Sequence, residues 1–460
     1  MCTIFGQIAK KESRITSLEI VKNNLKKTAK RGPDSEHVLT LSDKVLFAHQ
    51  RLSIIDTDKR STQPFSYENL TIIFNGEIFN YLELRKELEE TGYTFQTSSD
   101  TEVLIKGFHM MGDNFVSRLN GMFAFAIYNA LTNETVLFRD RFGIKPLYYV
   151  INEDSLYFAS EIKLLLPFCS KATINANYIH NYIVESATDS DFNTHINEIR
   201  QVEQGSRLKI LDTDVISSSR WYHYQDSVKP KNVYDSYDIF IEYFENLLVD
   251  SINIRLRSDV PFCITLSGGL DSSCIYTLIN ERLDKHINAY TLQHSSPELD
   301  ESTAVKSLVN NYNGSLNLIK SDNVIPSLRT VIEDTFLLDF PIWNNSSKSY
   351  LSIYEKIKED GYTVVIEGHG ADELMGGYPY MVDAAIYTNI RKGSFLEAFR
   401  LLKLRRSVEK TFLRDINGNL LLEFFRRSVR SMLKKEYSFK ETLGHAFNVK
   451  ILPIVLRAFD

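Results

Sequence analysis

Hydrophobic and polar positions change rhythm along the chain. Up to about residue 205, short apolar runs recur between turn residues, as in Lys44–His49, Leu70–Asn75, Phe123–Asn129, Thr135–Arg139 and Ser155–Ser160. Such runs predict strands. Helical spacing replaces them at Ser17–Ala29, Tyr81–Thr91 and Asp100–Met111. The mixture predicts an α+β sandwich. Residues 206–235 are polar, with a Ser-Ser-Ser-Arg run and lysines on both sides of Pro230, and read as an irregular linker.

Beyond the linker the rhythm becomes strand, helix, strand. A helix from Tyr237 carries Phe240, Phe244, Leu247, Leu248 and Ile252 on one face. Strands are predicted at Pro261–Leu266, Ala289–Leu292, Leu316–Ile319 and Thr363–Glu367. Helices are predicted at Ser273–Asn280, Ser302–Asn310, near Pro326–Asp334 and at Ser347–Lys358. Alternation of this kind implies a parallel sheet covered on both faces. Residues 391–440 read as helical and basic, with fourteen Lys/Arg against five Asp/Glu. A solvated helix face is the first reading of that excess; an acidic partner or a membrane surface is the alternative.

Length and composition narrow the function classes. A chain of 460 residues suggests two or three domains. A net charge of -6 argues against general nucleic-acid binding. No apolar run approaches the roughly 18 residues of a membrane helix, and the start lacks the pattern of a secretory signal. The four cysteines, Cys2, Cys169, Cys263 and Cys274, are far apart and form no CxxC pair. Neither a zinc site nor a disulfide framework is expected, and a cytoplasmic setting fits best.

Cys2 is a candidate nucleophile because removal of Met1 leaves its thiol beside its own α-amine. That amine titrates near ~8 and can serve as the base. Behind it lie Arg31-Gly32-Pro33-Asp34, Arg51-Leu52-Ser53-Ile54-Ile55-Asp56, Asn75-Gly76-Glu77-Ile78-Phe79-Asn80, Ser99-Asp100-Thr101-Glu102 and Arg139-Asp140-Arg141-Phe142-Gly143. In this order, residues 1–165 resemble class II glutamine amidotransferases, which have an Ntn-hydrolase-type sandwich. The resemblance assigns Arg51 to the glutamine carboxylate, and Glu77 and Asp100 to its ammonium. It assigns the Asn75 side chain and the Gly76 N–H to the oxyanion formed when the thiolate attacks the amide. Thr3 and Lys30 depart from the common pattern without touching these roles.

Leu266-Ser267-Gly268-Gly269-Leu270-Asp271-Ser272-Ser273 follows an apolar strand and opens a helix. Glycines there let backbone N–H groups approach an anion at a helix N-terminus. The loop is no Walker motif; it resembles that of the ATP pyrophosphatases, an α/β parallel-sheet group with an adenine nucleotide alpha hydrolase-like fold. The resemblance places Leu266, Ser267, Gly268, Gly269, Asp271, Ser272 and Leu292 around ATP. Asp300-Glu301-Ser302 is expected near the nucleotide. Asp271 and Asp372 are the expected Mg²⁺ ligands, on separate loops at one sheet edge. Asp372 belongs to Glu367-Gly368-His369-Gly370-Ala371-Asp372-Glu373, where His369, Gly370 and Asp372 are expected beside the acceptor and its adenylate.

The two halves together resemble the glutamine-hydrolysing asparagine synthetases. The expected organisation is an amidotransferase domain over 2–205, a linker over 206–235 and a synthetase domain over 236–460. The resemblance implies small-molecule substrates (glutamine, ATP, and aspartate or another carboxylic acid), ammonia transfer through a dry passage, and a possible homodimer. Two departures bear on activity. His369 stands where the family usually has glutamate, which opens the choice of acceptor to a sugar acid or peptide. Leu452–Asp460 ends before the family's later segments, so weak or missing synthetase activity is expected from this chain alone. Amidotransferases that make amino sugars or phosphoribosylamine lack the Ser-Gly-Gly-Leu-Asp-Ser-Ser loop. A glutaminase-only or regulatory subunit remains the non-synthetic alternative.

Overall fold

The computed structural model describes residues 1–185, 192–211, 214–224, 236–298, 300–321, 327–340 and 346–409. These fall into two compact units, divided between Gly368 and His369.

The first unit begins with two six-stranded antiparallel sheets. Across the first run β10 (Ile199–Gln201), β8 (Tyr148–Ile151), β9 (Ser155–Ala159), β1 (Thr3–Ala9), β3 (Val45–Arg51) and β2 (Ser35–Thr40). Across the second run β12 (Asp214–Arg220), β11 (Ser206–Leu211), β7 (Glu134–Arg139), β6 (Gly121–Asn129), β5 (Leu70–Ile78) and β4 (Phe65–Tyr67). Every residue of β1 and β3 is buried. Both faces are covered, so even their polar residues Gln7, His49 and Gln50 are buried. Ile4, Phe47 and Phe158 meet Ile73, Ala124 and Leu137 between the sheets. Outside the first sheet, Val21 and Leu25 of helix α1 (Leu18–Leu25) pack on Phe5 and Leu46. Outside the second, α2 (Tyr81–Glu90) and α3 (Asp100–Met111) bring Leu84, Leu88 and Leu104 onto Phe74, Phe123 and Phe125. The result is an α+β sandwich: helix, sheet, sheet, helix. After it comes α4 (Ala176–Glu185).

The third sheet is parallel, in the order β15 (Leu316–Ser321), β14 (Asn288–His294), β13 (Phe262–Thr265), β16 (Val364–Ile366). On one face α5 (Tyr237–Arg255), α6 (Leu270–Glu281) and α7 (Ser302–Asn311) place Ile252, Tyr276, Ile279 and Val305 against Ile264 and Ala289. On the other, after α8 (Leu328–Leu338), helix α9 (Ser346–Glu359) places Ile353 and Ile357 against Cys263 and Tyr290. The chain leaves β13 toward β14 on one side and returns at β16 on the other. Ligands of open parallel sheets bind at such a reversal, beyond the carboxyl ends of the strands.

The stretch from residue 206, read from sequence as irregular, instead opens with β11 and β12. Burial in β11 alternates, with Ser206, Leu208 and Ile210 inward. Backbone pairing to β7 carries β11, and among the described residues β12 pairs only with β11. An edge strand needs no apolar run, so the serines of β12 escape a hydrophobicity reading. Residues 225–235 lie outside the described residues, as do 410–440 of the basic stretch and the final segment.

The second unit comprises α10 (Ala371–Met375), α11 (Pro379–Arg391) and α12 (Phe395–Glu409) among its described residues. Helices α11 and α12 are joined by an Asp383–Arg405 ion pair.

Candidate functional site

Register in the first sheet sets the nucleophile. Thr3 pairs with Gln50, so Cys2 falls beside Arg51 and Leu52. The Leu52 N–H lies 3.4 Å from Cys2 Sγ, and the Leu52 carbonyl 3.7 Å. The Arg31 Nε donates to the Cys2 carbonyl at 2.8 Å, and its Nη1 pairs with Glu161 at 2.9 Å. Burial pushes the Cys2 thiol up, against the pull of the Leu52 backbone, the terminal charge, Arg51 and Arg31. The Met1 amine donates to the Arg31 carbonyl at 3.2 Å. Burial lowers it to about 5, helped by Arg31 and Lys145.

Arg51 is buried at the end of β3, with its guanidinium held by the carbonyls of Ile55, Asp56 and Asp58. Its orientation is therefore fixed before any ligand arrives. Strand β5 supplies Asn75, Gly76 and Glu77. A Cβ at Gly76 would stand 2.1 Å from the Met122 carbonyl, so close pairing with β6 requires glycine there. Asn75 is 1% exposed, and among the described residues neither its Nδ2 nor its Oδ1 has a hydrogen-bond partner. A buried amide left unpaired on both atoms is costly in a finished core. It is expected where a ligand completes the bonding.

Asp100, at the start of α3, accepts from the Ile78 N–H at 3.0 Å. Burial raises it to about 6, against Ile78, Thr101 and Arg51. Glu77 is raised to about 7, by burial and then by Asp100. The pair is poised to gain from a cationic ligand. Cys2, Arg51, Asn75, Gly76, Glu77 and Asp100 all line one cavity of about 200 Å³. Its wall also includes Thr363, Val364 and Val365 of the parallel sheet, and the buried Lys145. Sequence reasoning passed over Lys145; its only signal is a lone lysine two residues after the Arg141-Phe142-Gly143 turn.

The second candidate site lies at the carboxyl end of β13. Leu266 continues the strand, its N–H donating to Tyr290 at 2.8 Å. Gly268 has φ +79°, and a Cβ there would stand 2.9 Å from the Glu301 side chain. Gly269 then caps α6, with Asp271 in its first turn. Ser267 and Ser272 are hydrogen-bonded to each other, Oγ to Oγ at 3.2 Å. The Asp300 carboxylate accepts from the Ser302 N–H and hydroxyl at 3.2 and 3.0 Å, which commits it to the start of α7. Leu292 lies half-buried on β14. The turn fits a phosphate group: a left-handed glycine and an open helix N-terminus.

His369, Gly370 and Asp372 belong to the second unit. There Gly370, at φ +97°, opens α10, and the Asp372 carbonyl accepts from Gly376 and Gly377 at 2.9 and 3.0 Å. Among the described residues no three His, Cys, Asp or Glu side chains gather as a metal site, and no helix is long and apolar enough to cross a membrane.

Two family models match the chain: a glutamine amidotransferase domain over residues 1–222 and asparagine synthase over 243–443. Asparagine synthetase 1 of Bacillus subtilis is 35% identical over 372 residues, 78% of this chain and 56% of that protein. Asparagine synthetase B of Escherichia coli is 31% identical over 402 residues, 83% and 65% of the two chains. A putative asparagine synthetase 2 of Methanocaldococcus jannaschii is 28% identical over 454 residues, 92% and 85%. The chain thus spans between half and two thirds of the first two proteins. With both family models matched in order along its length, the chain belongs to the family of glutamine-hydrolysing asparagine synthetases.

Proposed function

We propose that the chain hydrolyses glutamine at Cys2 and uses the ammonia to amidate a carboxylic acid activated by ATP. One observation carries the first half: the buried, doubly unpaired Asn75 amide in the same cavity as Cys2. With Met1 removed, the Cys2 amine takes the thiol proton and the thiolate attacks the glutamine amide carbon. Asn75 Nδ2 and the Gly76 N–H donate to the oxyanion. The amine returns the proton to the leaving nitrogen, giving ammonia and a glutamyl thioester, which water cleaves to glutamate. Arg51 holds the substrate carboxylate, and Glu77 with Asp100 its ammonium.

The second half rests on the loop after β13. Ser267, Gly268, Gly269 and Ser272 would receive phosphate oxygens of ATP, with Asp271 proposed for Mg²⁺. Acceptor carboxylate attacks the α-phosphorus, pyrophosphate leaves, and ammonia displaces AMP from the acyl-adenylate. The Val364–Val365 wall of the Cys2 cavity supports a direct, dry handover toward the parallel sheet. Aspartate is the first acceptor to test. His369, between Gly368 and Gly370, favours a second reading in which another acid is used.

A diazoketone analogue of glutamine tests the first half. Peptide mass mapping should find the adduct on Cys2. Asn75→Ala should still be labelled, yet release glutamate roughly 100-fold more slowly or worse, as loss of an oxyanion donor does. Labelling confined to Cys169, Cys263 or Cys274 would exclude the proposal.

A further inference from the structure

The motif Arg139-Asp140-Arg141-Phe142-Gly143 holds none of the groups that handle glutamine above, yet it is heavily bonded. Asp140 is buried, and its carboxylate accepts four backbone N–H groups: Phe123 at 3.1 Å, Phe142 at 3.1 Å, Ile144 at 3.0 Å and Lys145 at 3.0 Å. Arg139 grips the same turn from below, donating to the carbonyls of Gly143 and Lys145 at 2.8 and 2.9 Å. Gly143, at φ +68°, lets the chain reverse over that guanidinium. Within this turn Lys145 is held on both sides, its N–H by Asp140 and its carbonyl by Arg139.

The Lys145 side chain runs into the Cys2 cavity and is 6% exposed. Its Nζ lies 3.3 Å from the Met1 sulfur. Among the described residues it forms no ion pair with a carboxylate. A buried ammonium without a close counter-ion is costly, and packing alone gives no reason to retain one. The charged and titratable groups around it come from every neighbouring element. They are the chain terminus and Cys2 before β1, Arg31 after α1, Arg51 on β3, Glu77 on β5, Asp100 on α3, and Asp140 in the turn.

Resting on the reading of Cys2 as the nucleophile, we propose that Lys145 is the positioning residue that keeps the Cys2 α-amine neutral at working pH. When Met1 leaves, the new amine forms at Cys2, which lines the same cavity, and the Met1 sulfur that Lys145 touches is gone. Burial lowers the pKa of the Lys145 ammonium itself, against Glu77 and Cys2; while charged it disfavours a second cation beside it, so the amine stays free to take the thiol proton. The same charge favours the Glu77 carboxylate, which must be ionised to hold the glutamine ammonium. Both effects have one sign: a cation lowers the pKa of each neighbour. They already act at the Met1 amine and at Glu77.

Lys145→Met, Lys145→Gln and Lys145→Arg in the full chain test this, through glutamate release from pH 5.5 to 9.5. The acidic limb of kcat/KM should move up by roughly one unit in both neutral variants, the lower end of a like-charge effect. Activity should recover at high pH, KM for glutamine at pH 7 should rise, and Lys145→Arg should keep the original limb. Thermal stability of the neutral variants should hold or rise, since an unpaired buried charge is removed. A uniform loss with an unmoved limb, or a limb moved equally by arginine, would overturn the proposal. Absence of Cys2-dependent glutamate release from the unmodified chain would instead overturn the nucleophile reading, and Lys145 with it.

Discussion

Glu77 shows how a single residue trades stability for binding. Its carboxyl titrates near 7 in the folded chain, above the ordinary value of 4.5. The folded state therefore holds a proton that the unfolded state has lost across that window. The stabilising contribution is complete below about 4.5 and is lost as pH rises through 7. Glu77→Gln should thus leave stability unchanged near pH 4.5 and raise it by about 1–3 kcal/mol at pH 8. The same change should weaken glutamine binding at pH 8. A melting temperature at pH 8 equal to or below that of the unmodified chain would contradict the strained-carboxylate picture. Cys2, Arg51, Asn75, Gly76, Glu77 and Asp100 were all named from the sequence by their short motifs, and the structure brings them to one cavity. Lys145 was not, because what sets it apart is burial without an ion-pair partner among the described residues, which no spacing encodes.

At the scale of elements, legibility followed hydrophobic coverage. Strands covered on both faces stand out by short apolar runs, at residues 45–48 of β3, 72–74 of β5 and 122–128 of β6. Helices α2 and α3 stand out by their period. The predicted strand-helix alternation after Tyr237 matches β13 to β16 closely. Strands β11 and β12 were missed because one has a polar outer face and the other lies at a sheet edge. Gly76 meets a packing demand that its motif did not announce: it admits the Met122 carbonyl of the neighbouring strand.

At the scale of the molecule, contacts tie the sandwich to the parallel-sheet region within the first unit, and no local pattern announced them. Lys163 is buried and reaches Glu161 at 2.7 Å, the carbonyls of Phe336 and Leu337 at 2.7 and 2.9 Å, and Asp339 at 3.5 Å. Glu161 in turn holds Arg31, which holds the Cys2 carbonyl. Asp339, in left-handed conformation, ends α8. On the other side Asp259 accepts from the Asp56 N–H at 2.7 Å, and Arg257 pairs with Glu83. Removing one partner of a buried pair strands the other, so Lys163→Ala should cost about 3–5 kcal/mol. Chemical denaturation should read this as a lower midpoint, and a change below ~1 kcal/mol would show that the tie contributes little. The partners lie 176 residues apart, beyond any motif.

The central claim is that nitrogen passes from glutamine at Cys2 to an ATP-activated acid. Its most direct test incubates the chain with Mg²⁺, ATP, aspartate and glutamine labelled at the amide nitrogen, and follows the label by mass spectrometry. The account predicts glutamate in amounts that vanish in Cys2→Ala, with the label in an amide of the acceptor and AMP formed alongside. Glutamate formed equally by Cys2→Ala, or no glutamate at all, would contradict it.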